Sequence, residues 1–214
     1  MRISHKIVFA SMNFGKFREM KALLATAEPT LELLSPEGLL RNANKIGLVE
    51  TGTTYLENAA NKARLVNHGC HYPSIADDSG IEIDALGGKP GLISAHYAHV
   101  EGVPSKIAQD KANIDKVLVE MKGKNDRSAR CVCTLVLVIE GVLIEATGTM
   151  EVTIAESPRG ELGFGYDPIL IPKGETRTLS EMSETEKNRI SHRAQALTLL
   201  LQKMKAHGIQ IAKP

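Results

Sequence analysis

The chain has 214 residues, 43% of them hydrophobic, enough to bury a sizeable core and too many for disorder to be the default. Its 26 basic and 25 acidic side chains leave a formal net charge of +1, and aromatic residues make up only 4%. That balance argues against a long basic footprint for nucleic acid or an anionic membrane, so any anion site must be local.

Residues 7–10 form an apolar run too short for the apolar region of a signal peptide. No later stretch approaches the roughly 20 apolar residues of a membrane span. The expectation is a soluble, cytoplasmic protein with no membrane partner. The same run reads as a strand, followed by a polar turn at residues 11–13 and a helix capped by Asn13, with Phe17, Met20, Leu23 and Leu24 on one stripe. Thr54 and Glu57 have the spacing of a capping box, and the helix they open should run to about His68. Residues 74–76 read as a buried strand leading into Asp77 and Asp78, which this pattern places at a strand end on a sheet edge.

Farther along, Leu86-Gly-Gly-Lys-Pro-Gly91 spells a tight loop. Ile107, Ile114, Leu118 and Met121 recur at helical spacing, and Gly123 supplies a stop. Residues 129–139 are a long β-branched strand, Glu140-Gly141 a hairpin turn, and residues 142–150 a second strand. Cys131 and Cys133 would share one face of the first of these, and with Cys70 the count is odd, which fits reduced thiols. Ser183 and Glu186 make another capping box, opening a last helix striped by Ile190, Ala194, Leu197, Leu201 and Met204. Strands alternating with helices, without an internal repeat or linker, predict an α/β fold in a single domain over residues 1–214, and any boundary between lobes is invisible.

Four polar clusters carry the candidate chemistry. In Ser11-Met-Asn-Phe-Gly-Lys16 a strand end and a helix N-terminus converge, so backbone N–H groups and Lys16 would favour phosphate, although an ordinary helix cap has the same pattern. Asp77-Asp78-Ser79 puts adjacent carboxylates in different directions, so one can ligate a metal while the other orients water; a solvated acidic turn is the plainer alternative. Asn58 and Lys62 share a helical face behind Glu50 and could point at a phosphate. Gly163-Phe-Gly-Tyr-Asp-Pro168 suits a base-stacking platform, and Lys187, His192 and Arg193 bring cationic donors near the start of the last helix.

Taken together and in order, these clusters resemble the inosine/xanthosine triphosphate pyrophosphatase family over almost the whole chain. The resemblance rests on residues 10–16, Glu50-Thr-Gly52, Glu57-Asn-Ala59 with Lys62-Ala63, residues 76–84, residues 86–91 with Ser94-Ala95, residues 163–168, and Ser191-His-Arg193. It implies an α/β fold with a long central mixed sheet, flanking helices, and two lobes enclosing a nucleotide cleft, in a homodimer. It further implies Mg²⁺-dependent hydrolysis of ITP, dITP and XTP to the monophosphate and pyrophosphate, which cleanses the nucleotide pool.

By the same resemblance, Asp78 is the general base and a Mg²⁺ ligand, Glu50 a second ligand, and Asp77 its catalytic support. Asn13, Lys16 and Lys62 would hold the phosphate tail, and Ser11, Met12, Phe14, Gly15 and Ser79 would also bind the substrate. Phe164, Gly165, Tyr166, Asp167, Lys187, His192 and Arg193 would complete the nucleotide pocket, with donors such as Arg193 favouring 6-oxo bases. Met12 stands where many relatives have glycine, so a Cβ there would restrict the first turn. Two rival readings are a pyrophosphatase for other modified nucleotides and a nucleotide-binding regulator without turnover. The carboxylate pair argues against the second, because a pure binder of a polyanion gains little from it.

Overall fold

The computed structural model describes residues 2–40, 43–102 and 105–212. In chain order the elements are β1 (Arg2–Ile3), β2 (Lys6–Phe9), α1 (Phe14–Ala27), β3 (Glu32–Leu34), α2 (Tyr55–Cys70), β4 (Ser74–Ile83), α3 (Lys106–Glu120), β5 (Ser128–Ile139), β6 (Val142–Ile154), β7 (Leu170–Pro172), α4 (Glu184–Ile190), α5 (His192–Ala206) and β8 (Gln210–Ile211). Among the described residues, six strands form one sheet in the order β3-β2-β4-β5-β6-β7, and β1 pairs with β8 apart from it. β2 is parallel to both β3 and β4, whereas β6 and β7 are antiparallel, so the sheet is mixed and the expected α/β class holds.

Local signals produce most of these elements. Asn13 caps α1 by accepting from Lys16 N, Thr54 caps α2 through Glu57 N, and Ser105 caps α3 through Ala108 N. Ser183 and Glu186 form the full reciprocal capping box of α4. At Thr54 the reciprocal arm goes elsewhere: Glu57 Oε2 accepts from Thr53 N at 2.6 Å and from the Thr53 hydroxyl, and α2 runs on to Cys70. Glu140 and Gly141 both have positive φ, 47° and 83°, the geometry of the two-residue turn that matches strand twist.

Three expectations change. The acidic pair stands inside β4, which continues to Ile83 and lies between β2 and β5; it is neither at a strand end nor on a sheet edge. The last helix is two helices, because Ser191 is extended (φ −65°, ψ 147°) between α4 and α5. Ile107 is 83% exposed, so the packed stripe of α3 begins later, with Ile114, Val117 and Met121.

The chain divides into two compact units. The first comprises Met1–Asp78, Cys133–Gly148 and His192–Pro214; the second comprises Ser79–Val132 and Thr149–Ser191. In the first unit, strand alternation builds three layers. Ile7, Phe9, Ile75, Cys133, Leu135 and Leu137 pack with Met20, Leu23 and Leu24 of α1 and Leu197, Leu200 and Met204 of α5. Val8, Ala10, Ala76, Val136 and Val138 pack on the other face with Ala59, Ala60, Ala63 and Val66 of α2. Each fully buried large apolar side chain contributes roughly 1.5–3 kcal/mol.

The second unit has its own core, in which Ile81, Ile83, Ile114, Val117, Met121, Ile154 and Ile169 are buried together. All three cysteines are free thiols, and burial pushes Cys133 up to about 12, which makes it inert. Among the described residues, no helix is long and apolar enough to cross a membrane.

Candidate functional site

The alternation of β4 does not stop at its apolar residues. Ile75 faces the layer of α1 and α5, and Ala76 faces α2, so Asp77 and Asp78 continue the pattern one to each face. β2 makes its last pairing at Phe9 with Ile75, and the chain then turns through residues 11–13 into α1. The two carboxylates therefore stand just beyond the end of a parallel neighbour, next to a helix N-terminus. This is the place where open α/β sheets bind ligands.

Asp77 is fully buried, and the helices on its face supply its counter-charges. Lys16 Nζ of α1 and Arg193 Nη2 of α5 each lie 3.0 Å from Oδ2. Arg193 is 2% exposed, and its Nη1 donates to the carboxylate of Glu19, one turn after Lys16 on the same face of α1. Gly148 on β6 makes this possible, because a Cβ there would come within 2.2 Å of the His192 carbonyl and 2.5 Å of Ala196 N. The start of α5 can thus sit directly against the strand. Burial pushes the Asp77 carboxyl up, but Lys16 and Arg193, then Lys62, overcome it and hold the group below the usual carboxylate range.

Asp78 meets a different environment on the α2 face. Asn58 Nδ2 donates to its Oδ2 at 3.0 Å, and Lys62 Nζ lies 3.5 Å from its Oδ1. The Lys62 ammonium, almost fully buried, also reaches Glu50 Oε1 at 2.5 Å, so it joins the two carboxylates expected to ligate a metal. Desolvation dominates at Asp78 and raises its proton affinity, against the pull of Lys62 and Lys16. Burial disfavours the Lys62 charge, but Asp77, Asp78 and Glu50 outweigh it and keep the ammonium protonated.

The expected phosphate turn lies beside these groups. Ser11 Oγ accepts from Asn13 N at 3.2 Å, and Asn13 Oδ1 accepts from Lys16 N at 3.2 Å. The cap takes the Lys16 amide and leaves the amides of Phe14 and Gly15 at the helix start, where an anion is favoured. Phe14 is 75% exposed and Met12 43%. Met12 is not among the non-glycine residues with positive φ, so its Cβ imposes no left-handed strain on the turn.

In the second unit, the glycine-rich aromatic loop is folded around Asp167. Its Oδ2 accepts from Phe164 N at 2.9 Å and from Lys187 Nζ at 2.6 Å, and the Lys187 ammonium stands 4.6 Å from the centre of the Phe164 ring. Gly163 has φ 82°, and a Cβ there would lie 2.1 Å from Asp167 Oδ2, so the turn demands glycine. Gly165 N donates to Asp110 Oδ2 at 3.1 Å, and the Tyr166 hydroxyl donates to the Ser94 carbonyl at 2.8 Å. The loop presents a half-buried Phe164 on a fixed frame.

The structure thus joins Asp77, Asp78, Lys16, Lys62, Glu50 and Arg193 in the first unit, and Phe164, Asp167 and Lys187 in the second. Arg193, expected to face a purine base, has its guanidinium between Asp77 and Glu19. Ser79 follows on β4 as a half-buried residue of the second unit, and half-buried His192 heads α5. Two residues here were not among the sequence candidates. Glu19 carries a faint signal, a carboxylate one turn from Lys16 beside buried Met20; Asp110 reads as half of a surface i,i+4 pair with Lys106.

Residues 7–203 match the Ham1 family. The chain is 42% identical to the dITP/XTP pyrophosphatase of Bacillus subtilis, over 96% of this chain and 100% of that one. Among solved structures, the Staphylococcus aureus Ham1 protein superimposes with a TM-score of 0.74 at 33% identity, covering 94% of this chain and 99% of that one. A HAM1 protein from Coxiella burnetii gives a TM-score of 0.74 at 36% identity, covering 94% and 98% respectively.

Proposed function

The chain belongs to the Ham1 family, and from that membership we propose that it hydrolyses nonstandard purine nucleoside triphosphates, ITP, dITP and XTP, to the monophosphate and pyrophosphate, with Mg²⁺. The proposal includes a cytoplasmic homodimer acting on free nucleotides. The observation that carries it is the split between neighbouring carboxylates: Asp77 is held ionised by two cations, while Asp78, one residue on, has its proton affinity raised by burial. Environments that push two titratable groups apart separate a fixed charge from a proton acceptor.

The residues suit Mg²⁺. Glu50 and Asp78 already converge on one cation, the Lys62 ammonium, and Mg²⁺ is commonly held by one or two carboxylates together with substrate phosphates. Among the described residues no group of three or more such side chains gathers for a metal, which leaves phosphate oxygens to complete the set. Lys16, Lys62 and Arg193 meet Glu19, Glu50, Asp77 and Asp78, three positive charges against four negative, so a bare triphosphate would enter an already anionic centre. Bound there, Mg²⁺ would offset that charge and stabilise what develops on the phosphates.

In the reaction, Asp78 takes a proton from water as the water oxygen bonds to the α-phosphorus. The bond from that phosphorus to the α–β bridging oxygen breaks, and pyrophosphate leaves with the electron pair. Lys16 and the amides at the start of α1 hold phosphate oxygens. Phe164 offers an aromatic face to the base, whereas the amides of Gly165 and Asp167 are already donated to Asp110 and to the Phe164 carbonyl. Guanine shares the 6-oxo group, so its rejection depends on leaving the 2-amino group unpaired or crowded.

Purified protein with Mg²⁺ should release pyrophosphate rapidly from dITP and XTP and slowly from dGTP and dATP. Equal rates on all four would contradict the substrate class. Tight nucleotide binding without product would favour a regulator.

A further inference from the structure

The two oxygens of Asp78 are treated differently. Oδ2 accepts from Asn58 Nδ2 at 3.0 Å, whereas Oδ1 has the more distant Lys62 ammonium at 3.5 Å. Asn58 is 4% exposed, and its own oxygen accepts from Gly52 N at 2.8 Å. A backbone N–H can only donate, so its partner must be the amide oxygen, and the NH₂ group is thereby turned to Asp78. The sequence suggested that Asn58 faces a phosphate; its amide instead bridges Gly52 and the carboxylate.

Gly52 is the only residue type that permits this bridge. A Cβ at position 52 would lie 2.5 Å from Glu57 Cβ and 2.9 Å from Asn58 Oδ1, overlapping the acceptor that its own N–H must reach. Asn58 and Lys62 are four apart on α2, so one helical face addresses both oxygens of a single carboxylate.

We infer that Gly52 and Asn58 form a positioning relay for Asp78: the fixed amide engages Oδ2 and stops rotation of the carboxylate, leaving Oδ1 on the side it shares with Lys62 and Glu50. This rests on Asp78 being the base of the proposed hydrolysis. Neither relay residue touches substrate; both act through Asp78.

The test uses the full-length protein with dITP and Mg²⁺. Asn58→Leu removes the donor, and Gly52→Ala displaces the acceptor from outside the helix, so a folding failure of one leaves the other to report. A loosened base about 1 Å out of place costs on the order of 10²-fold. The expected result for each is a kcat lowered about 10- to 100-fold with KM within about threefold. In an Asp78→Asn background, neither substitution should lower the residual kcat further, because residues acting through one group are non-additive.

A purely structural role would lower Tm, raise KM along with kcat loss, and multiply with Asp78→Asn; that outcome overturns the relay. Unchanged kcat in both variants also overturns it, while an inactive Asp78→Asn would leave the base intact. A fully active Asp78→Asn would remove the base and the relay together.

Discussion

Asp78→Asn should lower kcat by about 10³–10⁴-fold, the upper range for loss of a general base, while the protein stays folded and melts no lower than the wild type. The two halves of this expectation come from one feature. Burial raises the proton affinity of Asp78, so ionisation of this carboxyl is disfavoured in the folded protein relative to the unfolded chain. Asparagine matches the carboxylate in shape without the charge, and Lys62 retains Glu50 as a partner. Turnover assays beside thermal melts check it. Substantial turnover would remove Asp78 from the chemistry, and a large loss of Tm would show that its charge is structural.

Arg193→Met should have the opposite signature in stability. Arg193, at 2% exposure, is shared by two buried carboxylates, Asp77 and Glu19. Removing one partner of a buried ion pair costs about 3–5 kcal/mol because the other charge loses its compensation. For a chain of this size, at roughly 2–4 °C per kcal/mol, that is a fall in Tm of about 6–20 °C. Arg193→Lys should recover part of it, since an ammonium keeps the charge but not the fork that spans both acids.

The pH dependence has a definite sign. Asp77 is depressed in the folded state, so its contribution is complete above the ordinary carboxylate value of about 4 and is lost as pH falls below it. With one of its two closest cations gone, the variant should lose less stability than the wild type on acidification. Melts from pH 7 down to pH 3 measure both effects. A variant as stable as the wild type at pH 7 would mean that Lys16 alone compensates Asp77.

Whether a feature could be read from the sequence depended on how far along the chain its causes lie. Asn13, Thr54 and Ser183 cap helices through amides three residues away, so local spacing reveals them. The period of two in β4 likewise carries from Ile75 and Ala76 into the carboxylates and sends them to different faces. Arg193 shows the limit: its partner Glu19 is 174 positions distant, and nothing near either residue announces the other. The break at Ser191 was hidden because apolar residues resume on helical spacing beyond it.

Domain organisation was hidden for a related reason. β4, β5 and β6 each pass from one unit to the other in mid-strand, between Asp78 and Ser79, Val132 and Cys133, and Gly148 and Thr149. Strand interiors carry no linker composition, so no boundary signal exists. The proposed metal ligands Glu50 and Asp78 were readable only as two acidic positions; that Lys62 joins them is a product of the fold.

Attack of water at the α-phosphorus is tested most directly by turning over dITP in ¹⁸O-labelled water and weighing the products. One labelled oxygen should appear in the deoxyinosine monophosphate and none in the pyrophosphate. Label in the pyrophosphate, or release of orthophosphate in its place, would contradict it.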